Sequence, residues 1–219
     1  MRYLITHSLL SSWLFMLDDR FPSDARNPLD EFLTVLRREP TPTSEAAQKG
    51  IDFENLVTSI VCGQNTQPCE ILDVELNASV IASMPITQHP WYKPASEIAK
   101  VIKGGALQCA ARRNLQVDGV DFLAYGRLDA LKGGTIFDIK FTGHYDVGKY
   151  FGSTQHPMYM FLVPEAMNFA YLVSNGSNVW IESYRRDETR DIATIVSQFL
   201  SWLRENDYDR LYFERWCAR

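Results

Sequence analysis

The chain has 219 residues, a hydrophobic share of 46% and a charged share of 22%, which suits one globular domain and excludes disordered and fibrous classes. A formal net charge of -5 excludes global attraction to nucleic acid, so any such binding must use a local basic strip around neutralising metal ions. Four cysteines, Cys62, Cys69, Cys109 and Cys217, form no C-x-x-C pair and read as reduced thiols, pointing to a cytoplasmic protein, bacterial or phage-encoded in its host.

The apolar start, Met1 to Leu17, is interrupted by His7, Ser8, Ser11 and Ser12 and followed by Asp18-Asp19-Arg20, which argues against a targeting segment. No stretch approaches the ~18 apolar residues of a membrane span, so no membrane partner is expected. Ser8 can cap a helix to about Asp19, and Asn27-Pro28 opens another that runs to about Arg38. Pro40 and Pro42 mark a linker. From Ser44 to about Val61, Ala47, Ile51, Phe53, Val57 and Ile60 recur at helical spacing, and further helices are predicted at 70 to 83 and 95 to 103, the latter ended by Gly104-Gly105.

The period then changes from 3.6 to 2. Leu107 to Val117, Val120 to Leu131 and Thr135 to Thr142 read as three strands joined by Asp118-Gly119 and Gly133-Gly134, both strong hairpin signals. A helix at about 153 to 163 follows, then strands at 168 to 174 and 178 to 185 around Asn175-Gly176, and a last helix at about 188 to 205 with Ile192, Ile195, Val196, Phe199, Leu200 and Leu203 on one face.

A two-residue loop at Gly133-Gly134 makes opposed residue numbers sum to 267, which sets Asp129 opposite Asp138 with both carboxylates on one face. Lys140, two residues on, shares that face. Two like charges across a strand pair need a compensating cation, and a hard divalent ion such as Mg²⁺ suits carboxylate oxygen.

Gly50-x-x-x-Glu54 on a helix, Asp129, Asp138-Ile139-Lys140 and Gln155-x-x-x-Tyr159 together resemble the PD-(D/E)XK nuclease superfamily, in its branch of RecB-like and phage-type exonucleases. The resemblance implies an α/β (α+β) fold with a restriction-endonuclease-like core of helix, three-stranded meander, helix and strand at about 44 to 174, and helical additions at 1 to 43 and 188 to 219. It implies that Asp129, Asp138, Glu54 and the Ile139 backbone carbonyl bind one or two Mg²⁺ or Mn²⁺ ions, and that Lys140 orients the attacking water. Gln155 and Tyr159 would support the site and hold DNA, with Pro157 tolerated if the helix starts near Ser153. Some relatives carry an iron-sulfur cluster on one early and three late cysteines; only Cys217 lies late, so none is expected.

The activity implied is divalent-metal-dependent hydrolysis of phosphodiester bonds, most directly by an exonuclease on single-stranded or duplex DNA ends in recombination, repair or phage DNA processing. The alternatives are a structure-specific or restriction-like endonuclease, or a catalytically silent DNA-binding module. Arg127, on the strand of Asp129, is the foremost candidate for the DNA backbone, with Arg112, Arg113, Lys132, Lys149, Arg185 and Arg186 as further ones. A homo-oligomer or a recombination partner protein is compatible with this class, and nothing in the sequence specifies an interface.

Overall fold

The computed structural model describes residues 1–18, 27–73 and 78–218, with backbone placement alone for 67, 69–73 and 78–82. The fold is mixed α+β, built on one six-stranded mixed sheet. The meander forms one side of it, from the edge strand inward: β4 (Ala106–Val117), β5 (Val120–Lys132) and β6 (Thr135–Phe141) follow one another with Val117 paired to Val120 and Lys132 to Thr135. The two turns work because all four turn residues take the left-handed backbone, with φ of 49° and 77° at Asp118-Gly119 and 56° and 73° at Gly133-Gly134.

Beyond β6 the sheet continues with β7 (Asn168–Ser174), parallel to β6, and β8 (Val179–Arg185), antiparallel to β7. The parallel step requires a crossover, and α5 (Gln155–Leu162) provides it. Pro157 falls in the first turn of α5, where its missing N–H breaks no helical bond.

The N-terminal segment differs from the expected helical addition. Residues Arg2–Thr6 form a strand, β1, parallel to β5, and α1 (His7–Met16) starts directly after it. Thr6 rather than Ser8 is the cap, accepting from the Leu9 N–H at 3.3 Å. Five residues are too few for a decisive period, and the partner strand lies more than a hundred positions away. The C-terminus closes on the same strand, through a Tyr3–Cys217 bridge and a bond from the Tyr212 hydroxyl to the Leu4 carbonyl. Helix α2 (Pro28–Leu36) is capped by Asn27 and α3 (Glu45–Val61) by Ser44, as their sequences predict.

The predicted helix at 70 to 83 is instead a hairpin, β2 (Thr66–Asp73) with β3 (Ala78–Pro85), a separate two-stranded sheet. Thr66, Ile71, Val80 and Ile81 are β-branched there, which lowers helix propensity. Helix α4 (Tyr92–Ile102) follows, and α6 (Ile192–Glu205) and α7 (Asp209–Arg215) end the chain.

Two hydrophobic cores lie on the sheet. One joins Ile5, Leu9, Trp13, Phe32, Phe122, Leu128, Tyr159, Tyr171 and the apolar face of α6. The other packs Phe53, Leu56 and Val57 of α3 and Ile98, Ala99 and Ile102 of α4 against Ala130, Ile139 and Leu172. Ile51, expected on the buried face of α3, is exposed. No described helix is long and apolar enough to cross a membrane.

Candidate active site

The site follows from how β5 shares its neighbours. One edge of β5 pairs with β4; the other pairs with β1 over 121–125 and with β6 over 130–132. Residues 126–129 therefore have no strand beside them on that edge, and the notch so formed is where the candidate residues meet.

Helix α5 fills part of the notch. The Tyr159 hydroxyl donates to the Arg127 carbonyl at 2.8 Å, and its ring lies over Gly126, where any Cβ would overlap it and approach Leu162 Cδ1 to 3.0 Å. Glycine is thus required for α5 to approach β5. Tyr159 is 3% exposed and packs α5 against β5. An aromatic at this spacing reads alike as a surface stacker or a core ring; the missing side chain at Gly126 decides it.

The register sum of 267 holds, with Leu131 opposite Ile136 and Ala130 opposite Phe137, but the ladder stops there. Asp129 and Asp138 do not face each other as a cross-strand pair. The strands part, and Asp129 turns its carboxylate toward β6, where Oδ2 accepts the Ile139 N–H at 2.7 Å. The amide that would have continued the ladder is satisfied by an acid instead of a carbonyl.

Asp138, 2% exposed, is held from two sides. Gln155, at the start of α5 and itself buried, donates its side-chain amide to Oδ1 in a short bond. Lys140 Nζ lies 2.7 Å from Oδ2 as an ion pair, so each Asp138 oxygen has one polar partner. Lys140 shares its face with Asp138, as strand alternation predicts, and lies 5.9 Å from the centre of the Tyr171 ring.

Glu54 comes from α3 on the far side of the sheet, and Gln108 Nε2 donates to its Oε1 at 2.6 Å. Burial first, then the charges of Asp138 and Glu54, push the Asp129 carboxyl up to about 8, against the relief given by the Ile139 amide and Lys140. Burial likewise raises Asp138, with Lys140 and Gln155 opposing it. Two buried acids with one lysine leave an excess of negative charge, which a proton or a cation must balance.

That excess, carried by carboxylate oxygens, fits a hard divalent cation. Among the described residues no group of three acidic, His or Cys side chains is drawn together at ligand distance, and Asp129, Asp138 and Glu54 are each engaged by an amide group.

Other expected residues divide clearly. Arg127 and Arg112 are exposed, and their guanidinium groups have no hydrogen bond or ion pair among the described residues. Arg186 is committed elsewhere, donating to the carbonyls of Met160, Val163 and Ala166 at the end of α5, and Lys132 donates to Val101 O at 2.6 Å. Arg113 bonds Phe161 O and covers its ring, while Arg185 pairs with Asp187.

Two features gave no motif in the sequence. His7, the first residue of α1, meets the Tyr159 ring edge-on at 5.3 Å, and burial followed by the Lys140 charge lowers its pKa to about 4. Buried Glu182 on β8 accepts from the Tyr145 and Tyr184 hydroxyls and the Tyr150 N–H, fixing the loop between Lys140 and Gln155. The remote pairing of β1 with β5 and the parallel step from β6 to β7 bring these groups here. Cys62, Cys109 and Cys217 are free thiols.

No protein-family model and no curated protein matches the chain. Among solved structures it is similar to the crystal structure of SSO0001, at 20% identity over 51% of this chain and 56% of that chain, with a TM-score of 0.42. The chain thus spans little more than half the length of that solved protein.

Proposed function

We propose that the chain is a divalent-metal-dependent deoxyribonuclease on a restriction-endonuclease-like core, an exonuclease that works on DNA ends in recombination, repair or phage DNA processing in the cytoplasm. The observation that carries this reading is the buried Asp129–Asp138 pair beside Lys140 at a notch in the sheet, two acids against one lysine.

Asp129, Asp138 and Glu54, with the Ile139 carbonyl, would hold one or two Mg²⁺ or Mn²⁺ ions. When bound, such an ion neutralises the acids and the phosphate and lowers the pKa of water at the site. Gln155 fixes Asp138 through Oδ1 and so keeps Oδ2 directed into the site. Lys140, 30% exposed, offers its ammonium to a phosphate oxygen and holds the attacking water in line. The water oxygen bonds to phosphorus as the bond to the 3′ oxygen breaks, leaving a 5′-phosphate and a 3′-hydroxyl. Arg127 and Arg112 supply local positive charge that the net charge of -5 does not.

The test uses end-labelled single-stranded, duplex and covalently closed circular DNA with Mg²⁺, Mn²⁺ or a chelator, beside Lys140→Ala. Divalent-dependent loss of linear DNA alone supports the exonuclease, and cleavage of circles assigns an endonuclease. DNA binding without hydrolysis under every condition overturns the enzymatic reading.

A further inference from the structure

We infer that Gln108 is a positioning residue, whose side-chain amide holds the Glu54 carboxylate at the rim of the Asp129–Asp138 pair. The inference rests on the divalent-ion reading of that site and concerns a residue outside every motif that led to it.

Gln108 has a φ of 52°. Among the described residues, the other non-glycine ones in the left-handed region are Arg38 and Asp207, each just past a helix, and Asp118 in a hairpin turn. Gln108 alone among them lies inside a strand, and it is not a residue that adopts this conformation readily. Pairing with β5 resumes in the same register on both sides, Leu107 with Ala130 and Cys109 with Leu128. Gln108 itself drops out of the ladder at the level of Asp129.

The consequence is a change of face. Leu107 and Ala130 pack in the core under α3 and α4, whereas Cys109 and Leu128, two residues away along each strand, pack in the other core. Regular alternation would keep residues two apart on one face. The break falls at Gln108 and Asp129 together, and it re-aims Gln108 across to α3, where Nε2 meets Glu54 Oε1 at 2.6 Å.

Local strain at a non-glycine residue persists where the surroundings over-determine it, and such residues cluster at functional sites. A neutral amide suits this position, since it donates to one oxygen of Glu54, leaves the other free, and adds no charge to the group. Partners that orient a ligating carboxylate are worth about 10–100-fold in metal affinity.

The alternative role for Gln108 is a simple staple between α3 and β4, and the two roles predict opposite signs. Gln108→Gly keeps the backbone conformation without strain and deletes the amide. Gln108→Asn also tolerates the left-handed region but is one methylene too short. The experiment is Mn²⁺ titration calorimetry on the full chain, with melting temperatures, for wild type, Q108G, Q108N, E54Q and Q108G/E54Q.

A positioning role predicts that Q108G and Q108N bind Mn²⁺ at least about 10-fold more weakly while melting no lower than wild type, and that Q108G costs nothing further in the E54Q background. Wild-type Mn²⁺ affinity in Q108G, or an equal further loss in E54Q, overturns the positioning role alone. Failure of the wild type to bind Mn²⁺ overturns the divalent-ion reading and this inference with it.

Discussion

Replacing Asp129 by Asn removes a buried charge and keeps an oxygen that can accept the Ile139 amide. In the metal-free protein the Asp129 carboxyl is pushed up to about 8 by burial and by Asp138 and Glu54, whereas in the unfolded chain it returns to ~3.9. Between those values the folded state holds a proton that the unfolded chain has released, so stability falls as pH rises through the window and the loss is complete above about 8. Each pH unit costs about 1.4 kcal/mol, which makes roughly 4 kcal/mol between about pH 5 and about pH 8. His7 and His156, lowered by burial to about 4, act in the opposite sense and only on the acid side. They stay neutral in the fold while the unfolded chain takes up protons below ~6.5, so stability falls on acidification there. The wild type must therefore be compared with Asp129→Asn at each pH, which cancels the histidines. Urea denaturation in chelator, followed by the fluorescence of the five tryptophans, gives the difference. The stability advantage of Asp129→Asn should grow by roughly 4 kcal/mol from about pH 5 to about pH 8, or roughly 10 °C in Tm for a chain of this size. An advantage that is the same at both pH values would rule out a raised Asp129 carboxyl.

Gly126→Ala should lower Tm by several degrees, because its methyl overlaps the Tyr159 ring and overpacking of this kind costs about 1–3 kcal/mol; the same displacement of α5 should draw Gln155 off Asp138 and lower any nuclease activity. Glu182→Ala leaves the Tyr145 and Tyr184 hydroxyls and the Tyr150 N–H without their acceptor, and limited proteolysis should move to the loop between Lys140 and Gln155. His156→Phe keeps the stack on Tyr184, at 4.2 Å, and removes a group that must charge in acid, so its stability below ~6.5 should fall less steeply with pH than that of the wild type.

The meander was the most legible part of the chain, since Asp118-Gly119 and Gly133-Gly134 specify turn geometry locally and the turn specifies the register. That register brings Asp129 to the level of Asp138, and the Asp138–Lys140 pair follows from strand alternation alone. Local rules do not reach the splaying of β5 from β6, because it arises from β1 taking the other half of the same edge. The apolar run Tyr3-Leu4-Ile5 gives no strand signal of its own for the same reason: its partner, Phe122 to Ala124, is remote in sequence. Spacing placed Arg186 among the phosphate candidates, whereas its Nε and Nη2 cap carbonyls at the end of α5. The left-handed backbone of Gln108 carries no sequence signal, because no glycine or asparagine announces it.

The metal-dependent chemistry stands or falls on the rate of strand scission on linear DNA with Mn²⁺ for wild type against Asp138→Asn. Asp138→Asn removes the charge at the most buried acid of the site while keeping its volume. The expected result is Mn²⁺-dependent scission by the wild type and a loss of at least about 100-fold in the variant, in line with removal of a charge that acts on the reacting group. Full Mn²⁺-dependent scission by Asp138→Asn would contradict a catalytic centre at these acids.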